Sequence, residues 1–401
     1  MKRYETRIPF FLAWKHLRHG NTWTLLLIIF LMAVAFVNLI FISSLFNGIE
    51  QGTNSQTINT TTGEIMILPK QGFDLIDNID EITNKIKGIE NIQGISDQLV
   101  LPATLTSQNY SGNWQVLAIN PSQEKSVFNI HEKMIAGEYL EIDDKNGIIL
   151  GIQIAGGNES DMEAFSLHGV TIGEKINFTF NGFTKEYILR GIFKTKYIDA
   201  DQRAYITQAS LNSTLPELVN KANSLSIKIN NSDNQASVIE QIKGLNLEAT
   251  IYAWEEVAGL MKSITKSFVS INVLLSFVAI LIAVITIFIV IYIDVSNKRQ
   301  QIGILRAIGI KPYIIIFSYI IQTAIYAVAG VSLGLAIFYG ILGPYFRAFP
   351  FELPIGDISL VTNPGEMIGR IETFIWISLL TSFFPVLAVT RTKILKAIWS
   401  K

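Results

Sequence analysis

Four long apolar blocks constrain the fold of this chain more than any other feature of its sequence. A helix that crosses a hydrocarbon layer of about 30 Å needs roughly 20 residues. The blocks are Thr24–Leu45, Val269–Ile293, Ile314–Tyr339 and Ile371–Val389. The chain is 49% hydrophobic and only 16% charged, which is unusual for a soluble protein. We therefore predict four transmembrane helices; a buried core helix is the alternative for the fourth block, which contains Glu372 and Pro385.

Basic residues are concentrated next to these blocks, whereas acidic residues dominate the long segment between the first and the second. The net charge is +4 before the first block and +3 over residues 294–312, and the tail 390–401 has basic residues without an acid. Residues 49–266 contain 17 Lys or Arg and 27 Asp or Glu. Positive charge near membrane ends marks the cytoplasmic side. We therefore expect a multi-pass protein of the inner (cytoplasmic) membrane with both termini in the cytoplasm and an uncleaved signal anchor.

The segment 46–266 predicts a large α+β extracytoplasmic domain. Apolar residues three and four apart predict helices at Asp77–Ile89 and Asp233–Lys243. Strands are predicted at Glu64–Leu68, Val100–Leu105, Trp114–Ile119, Gly147–Gly151, Lys175–Phe180, Glu186–Phe193, Ala204–Ile206, Val219–Ile229 and Glu248–Trp254. The middle, about 102–203, is interpreted as a subdomain inserted into a βαβ-like frame. The predicted fold class is thus an α-helical membrane protein with four transmembrane helices plus this α+β domain between helices 1 and 2.

The shorter segments complete the predicted organisation. Residues 1–20 contain Ile8–His19, whose apolar and basic side chains predict an interfacial helix on the cytoplasmic side, or else an extension of the first span. Gly330 and Gly334 form a GxxxG in the third span, which predicts close helix packing. Residues 343–370 are expected to form a short outer loop, and 390–401 a cytoplasmic tail.

The sequence lacks the motifs by which a chain would hold its own energy source. It has no GxxxxGK[ST] phosphate loop and no Gly-Lys pair at all. Its four histidines show no metal-binding spacing, and it has no cysteine. We therefore expect no catalytic residue, no metal and no cofactor bound by this chain, and no nucleic acid. Energy for transport is expected to arrive from a partner at the cytoplasmic surface.

The segment from Asp294 to Pro312 is the predicted place of that contact. Its central run, KRQQIGILRAIG, places Ile302, Leu305 and Ile308, with Ile304 near them, on one face of a helix. The basic residues Lys298, Arg299 and Arg306 flank this face. Membrane lipid headgroups alone explain many basic loops, but an apolar face on a cytoplasmic helix also suits a groove on a partner protein.

This run resembles the (R/K)(R/K)xEIGILRALG signature of FtsX-like, MacB-type ABC transporter permeases. The matching residues are Lys298, Arg299, Ile302, Gly303, Ile304, Leu305, Arg306, Ala307, Ile308 and Gly309, and Gln301 stands where the family usually has glutamate. The tail RTKILKAIW resembles the family's C-terminal ending. The outer segment RGIFKTKYIDADQRAYIT, residues 190–207, is similar to the lipoprotein-releasing LolC/LolE-type permeases.

The resemblance implies a non-catalytic permease subunit whose 294–312 segment sits on a separate ABC ATPase, present in two copies, which binds ATP and Mg²⁺. A second permease copy or paralogue would complete the complex, and lipoproteins released from the membrane would be the leading cargo. Export of peptides, antibiotics or amphiphiles, as in MacB-like pumps, is one alternative. Regulation of cell-wall hydrolases through a periplasmic partner, as in FtsX, and a signalling scaffold without transport are the others.

Overall fold

The computed structural model describes residues 3–19, 21–353 and 356–391. The helices are α1 Arg3–His19, α2 Thr22–Thr57, α3 Ile79–Lys87, α4 Pro121–Val127, α5 Ile152–Ala155, α6 Ile198–Asp201, α7 Gln208–Asn212, α8 Gln235–Gly244, α9 Trp254–Val257, α10 Gly259–Asn297, α11 Arg299–Ala307, α12 Pro312–Ile337, α13 Gly343–Ala348 and α14 Pro364–Thr390. Two π-helical segments, Ile58–Thr62 and Phe338–Leu342, continue α2 and α12. The family-like tail RTKILKAIW lies outside the described residues after Arg391.

The strands fall mainly between α2 and α10. They are β1 Ile65–Pro69, β2 Ile76–Asp77, β3 Ile92–Ser107, β4 Tyr110–Ile119, β5 Met134–Gly137, β6 Gly147–Gly151, β7 Lys175–Phe180, β8 Phe183–Phe193, β9 Arg203–Thr207, β10 Lys221–Ala222, β11 Ser224–Ile229, β12 Ala249–Ala253, β13 Phe351–Leu353 and β14 Gly356–Ile358. The chain divides into two compact units. The helical unit contains Met1–Glu50, Ser267–Phe351 and Ile358–Lys401, and the strand-rich unit contains Gln51–Lys266 and Glu352–Asp357.

Four helical stretches in the described residues are long and apolar enough to cross a membrane. They are Thr22–Thr62, Ser267–Asn297, Pro312–Ala348 and Pro364–Thr390. The structure therefore has the predicted four candidate spans and the strand-rich α+β domain between the first and the second. Several boundaries differ from the sequence interpretation; for example, the third stretch ends at Ala348 rather than Tyr339. The first helix continues past Leu45, and the fourth begins at Pro364 rather than Ile371, because Asn363 caps its first turn by accepting a hydrogen bond from the Gly365 amide.

The helical unit is held together by apolar side chains that α2, α10, α12 and α14 bury against one another. Phe36 of α2 and Phe374 of α14 meet edge to face with ring centroids 5.2 Å apart. Gly330 and Gly334 of α12 lie against α2. A Cβ atom at Gly330 would come within 2.8 Å of the Met32 Cβ, and one at Gly334 within 2.9 Å of the Phe36 ring. Small residues in the GxxxG therefore permit the close approach of these two helices.

The strand-rich unit begins with a split βαβ frame. Strands β1, β3, β11 and β12, with helices α3 and α8, follow each other along the chain as βαββαβ and lie side by side in the order β12-β1-β11-β3, all antiparallel. This is the ferredoxin-like arrangement. Its core contains the Ile79, Ile82 and Ile86 stripe of α3, whose spacing had predicted that helix.

A closed ring of six strands is inserted between β3 and β11. The ring runs β3-β4-β9-β6-β8-β7 and closes where β7 pairs again with β3. Its interior is filled by apolar side chains such as Leu105, Phe178 and Leu189. The sequence interpretation places the insertion at about 102–203. The ring strands after β3 lie within Tyr110–Thr207, from β4 to β9, and β3 itself belongs to both the frame and the ring.

Candidate coupling site at helix 299–307

Helix α11 forms a short, sharply bounded element between α10 and α12. At its C-terminal end the Gly309 amide donates to the Arg306 carbonyl at 3.1 Å and the Ile310 amide to the Leu305 carbonyl at 3.1 Å. This pair of bonds is a Schellman motif, which needs a left-handed residue at its turn. Gly309 supplies it with φ of 94°. The glycine of the matched signature therefore ends the helix and turns the chain into Pro312.

The apolar residues of α11 divide between two faces. Ile302 is 1% exposed and belongs to the core of the helical unit, and Leu305 is partly buried against the same core. Ile304 and Ile308 are 49% and 70% exposed. The prediction that Ile302, Leu305 and Ile308 form one outward face is therefore wrong for Ile302 and, in part, for Leu305. The 3.6-residue periodicity identifies apolar positions without saying which ones the chain itself buries. The outward face is Gln301, Ile304 and Ile308, and we call it the α11 face.

The basic residues that flank α11 differ in their surroundings. Lys298 bonds to Asp294, one turn before it on α10, with Nζ 2.9 Å from Oδ1. The Lys298 ammonium also lies 5.9 Å from the centre of the Tyr319 ring of α12. Arg299 and Arg306 are half-buried. Lys298 thus contacts both the end of α10 and α12, and its ammonium is paired with a carboxylate.

Asp294 is the centre of a buried polar cluster that sequence reasoning missed. It is 3% exposed and accepts a hydrogen bond from the Gln322 amide at 3.1 Å. The same Gln322 amide also bonds to the Tyr326 hydroxyl, one turn further along α12. Because Asp294 directly follows the last apolar residue of its block, the sequence predicts it in the cytoplasmic loop, whereas the structure buries it. The four-residue spacings Asp294–Lys298 and Gln322–Tyr326 were the available signal.

A cavity of about 570 Å³ opens beside this cluster. Its walls come from α1, from the start of α2, and from α10, α11 and α12. Gln301 and Ile304 of the α11 face reach its rim, as does Lys15 of α1. The predicted coupling residues and the N-terminal helix are therefore parts of one concave surface.

A second polar cluster lies near the start of α14. Arg370 donates to the Ser43 hydroxyl of α2 at 3.0 Å and to the Ser276 hydroxyl of α10 at 3.2 Å. Glu366 accepts from the Asn47 side-chain amide at 2.8 Å. Ser43, a polar residue of the first candidate span, thus bonds to a side chain of another helix. Arg370 joins three helices of the unit, a role that the sequence did not reveal because the residue had been placed in the outer loop.

In the strand-rich unit, the segment KTKYIDAD at 194–201 is a junction between distant parts of the chain. Lys196 lies 3.1 Å from Glu352 of β13 and 2.9 Å from Asp357 of β14. The hydrogen bond to Asp357 raises the pKa of Lys196. The Tyr197 hydroxyl lies 3.3 Å from that of Thr57 in the last turn of α2. Segment 194–201 therefore contacts the last turn of α2 as well as Glu352 and Asp357.

Two buried carboxyl groups stabilise this unit internally. Asp201 accepts from the Thr195 amide at 2.7 Å and hydroxyl at 2.8 Å, and desolvation raises its pKa to about 6. Glu124 of α4 is 1% exposed and accepts from the Ser96 hydroxyl at 2.6 Å and the Gln98 amide at 2.9 Å. Desolvation raises its pKa to about 7. Among the described residues, no group of three or more His, Asp or Glu is arranged to hold a metal ion.

Four candidate spans, with a strand-rich insert after the first and a short helix between the second and third, are the arrangement of a multi-pass membrane protein. Residues 273–394 match the FtsX-like permease C-terminal family. An uncharacterized ABC transporter permease of Methanocaldococcus jannaschii is 22% identical over 81% of this chain and 81% of its own length. The lipoprotein-releasing system transmembrane protein LolC of Neisseria meningitidis is 23% identical over 82% and 85%. A protein of Staphylococcus epidermidis named for hemin transport, HrtB, is 22% identical over 94% and 98%.

The C-terminal part of the chain therefore carries an FtsX-like permease domain, and the proteins similar to the chain include an ABC transporter permease. Two solved structures are also similar to the chain in part. The periplasmic region of MacB from Actinobacillus actinomycetemcomitans covers 52% of this chain and 96% of its own with a TM-score of 0.36 and 15% identity. The extracellular domain of the transporter YknZ from Gram-positive bacteria covers 47% and 98% with a TM-score of 0.35 and 12% identity.

Proposed function

We propose that this chain couples ATP hydrolysis by a separate ABC ATPase to a movement of its strand-rich unit. The observation that carries the proposal is the α11 face, where two isoleucines are exposed on a short helix between two candidate spans. A groove on the ATPase would bury them, and each fully buried isoleucine is worth about 1.5–3 kcal/mol. Two ATPase subunits and two permease chains, identical or paralogous, would form the complex. ATP and Mg²⁺ would be bound by the ATPase.

The internal contacts of the helical unit support a mechanical role for α11. Ile302 anchors the helix in the core, and Lys298, Asp294 and Gln322 connect its start to α12. A push on the α11 face would therefore move the ends of α10 and α12 with the helix rather than bend a loop. The Schellman turn at Gly309 makes the connection to α12 short and stiff.

In the proposed orientation both termini and α11 lie in the cytoplasm and the strand-rich unit lies outside. The charge segregation of the sequence supports it: residues 49–266 carry a net charge of −10, and the segment 294–312 carries +3. The chain contains no cysteine, so a single introduced cysteine gives an unambiguous accessibility label. Labelling from outside at Ile142→Cys but not at Arg18→Cys is the expected pattern; the reverse pattern would overturn the orientation.

The proposed cargo is a lipid-anchored protein released at the outer face of the membrane. The likeness of residues 190–207 to LolC/LolE-type permeases and the LolC relatives support this choice. HrtB, a relative of comparable identity, is named for hemin transport, which keeps export of a small amphiphile as the second candidate. Acylated proteins that co-purify with the assembled complex would favour lipoprotein release, and their absence beside a bound small amphiphile would favour export.

The coupling role is tested by Ile308→Asp in the assembled complex. A charge on the most exposed residue of the α11 face should prevent its burial on the ATPase and lower cargo-coupled ATP hydrolysis at least about tenfold, which corresponds to about 1.4 kcal/mol. Ile142→Asp is the matched control, since Ile142 is 51% exposed in the strand-rich unit. Charge reversal at Arg306 should act in the same direction as Ile308→Asp. Unchanged hydrolysis in both α11 variants would show that α11 is not the coupling element.

A further inference from the structure

The cavity of about 570 Å³ beside α11 has the size of a small-molecule site, for which roughly 300–1,000 Å³ is typical. We propose that it binds the headgroup of one anionic phospholipid from the cytoplasmic leaflet. This inference rests on the proposed orientation, in which the cavity opens at the level of the inner headgroups. It adds a ligand to the helical unit that the coupling role does not require.

The charges of the lining favour a single anion. Among the side chains that the structure describes, three charged ones line the cavity: Lys15, Lys298 and Asp294. Lys298 and Asp294 form an ion pair with 2.9 Å between Nζ and Oδ1, so together they are neutral. The remaining net charge is +1, contributed by Lys15. One phosphate diester carries −1, and a flexible ammonium on an interfacial helix is a common partner for such a group.

The uncharged lining fits the other parts of a phospholipid. Asn21, Thr24 and Asn297 bring amide and hydroxyl groups that donate hydrogen bonds to phosphate and glycerol oxygens. Leu12, Leu25 and Leu305 form apolar walls that suit the glycerol backbone and the first acyl carbons. A free inorganic anion would use the polar groups but would leave these leucines against water, which favours a lipid.

The cavity connects elements that are distant in sequence. Lys15 belongs to α1, Asn21 lies between α1 and α2, and Leu305 belongs to α11. A lipid held here would bridge the interfacial helix and the coupling helix. Anionic lipid would therefore fix the position of α11 before any ATPase binds, and a zwitterionic lipid without net negative charge would do so less well.

Thermal unfolding of the full chain in a neutral detergent tests the proposal. Added phosphatidylglycerol should raise the melting temperature by several degrees and saturate, whereas phosphatidylcholine at equal concentration should not. Lys15→Gln should lose the shift and Lys15→Arg should keep it. Arg18→Gln is the matched control, because Arg18 is an exposed cation of the same helix that does not line the cavity.

Each contrary result has a defined meaning. Equal shifts in Lys15→Gln and Arg18→Gln, or an equal shift with phosphatidylcholine, would overturn the site. A full shift with inorganic phosphate alone would replace the lipid by a free anion. Loss of the wild-type lipid shift on adding the ATPase would show a protein segment in the cavity instead. The proposed coupling role is tested separately, because Ile308→Asp does not change a lining residue.

Discussion

The buried Glu124 predicts a pH dependence that one substitution should remove. The carboxyl group is fully enclosed between α4, β3 and its hydrogen-bonding partners Ser96 and Gln98. Desolvation raises its pKa, with the nearby Asp97 charge acting in the same direction and Arg203 opposing it. The substitution that tests this is Glu124→Gln. It keeps the side-chain shape and an oxygen that accepts the hydrogen bond from Gln98, but the amide does not titrate.

The magnitude follows from proton linkage. The folded chain holds this proton with a pKa of about 7, whereas the ordinary value is 4.5. Between these two values the folded state binds more protons than the unfolded state, so the free energy of unfolding falls as pH rises. At about 1.36 kcal/mol per pKa unit, the full loss is on the order of 3 kcal/mol, and about 2 kcal/mol of it falls between pH 5 and pH 8.

Hydrogen exchange of β3 amides in the full chain measures the effect. From pH 5 to pH 8 the opening free energy of the wild type should fall by about 2 kcal/mol relative to that of Glu124→Gln. Taking this change between two pH values cancels any constant cost of rearranged hydrogen bonds. Glu132→Gln is the control, since the Glu132 side chain is 65% exposed. A difference that stays flat over this range would refute the assignment of Glu124 as the titrating group.

Three further predictions concern single contacts. A double-mutant cycle of Lys196→Ala and Asp357→Ala should give a coupling energy of about 0.5–1 kcal/mol, because both side chains are about 40% exposed. Susceptibility of the β13–β14 segment to protease measures this energy. Additive effects of the two substitutions would contradict the contact. Gly330→Val should destabilise the chain by about 1–3 kcal/mol, because the new side chain would overlap Met32 of α2, and the melting temperature should fall. An unchanged melting temperature would mean that α2 and α12 can move apart without cost. Asp294→Asn should cost about 2 kcal/mol and increase hydrogen exchange in α11, whereas unaltered exchange would exclude the proposed anchoring.

Much of the fold was predictable because its periodicities are strong. Strands β6 and β7 have the predicted bounds Gly147–Gly151 and Lys175–Phe180. Helix α4 was missed although Asn120 accepts a hydrogen bond from the Ser122 amide and Pro121 occupies the first helical position, which is a standard start signal. With seven residues and little apolar spacing, this helix is formed by its cap and by burial of Glu124, not by a periodic face.

The position of helix α11 was predictable from the sequence, but the orientation of its faces was not. The basic run identified α11, yet the inward turn of Ile302 depends on the packing of α2, α10, α12 and α14, which no local pattern encodes. Asp294 shows the same limit, since its burial requires Gln322 and Tyr326 from the next helix. The closed ring of strands was also hidden, because its closure between β3 and β7 joins residues about 70 positions apart.

The double use of β3 also dictates an order of folding. Ring strands come from the contiguous stretch of β3 to β9, whereas the frame must pair β1 with β11 and β12, more than 150 residues later. Closing so long a loop costs less conformational entropy once the intervening chain is already compact. We therefore expect the ring to form first, so that β3, once ordered within it, provides the edge with which β11 pairs. In a chain synthesised from its N-terminus, β1 has no partner strand until almost the whole strand-rich unit has been made.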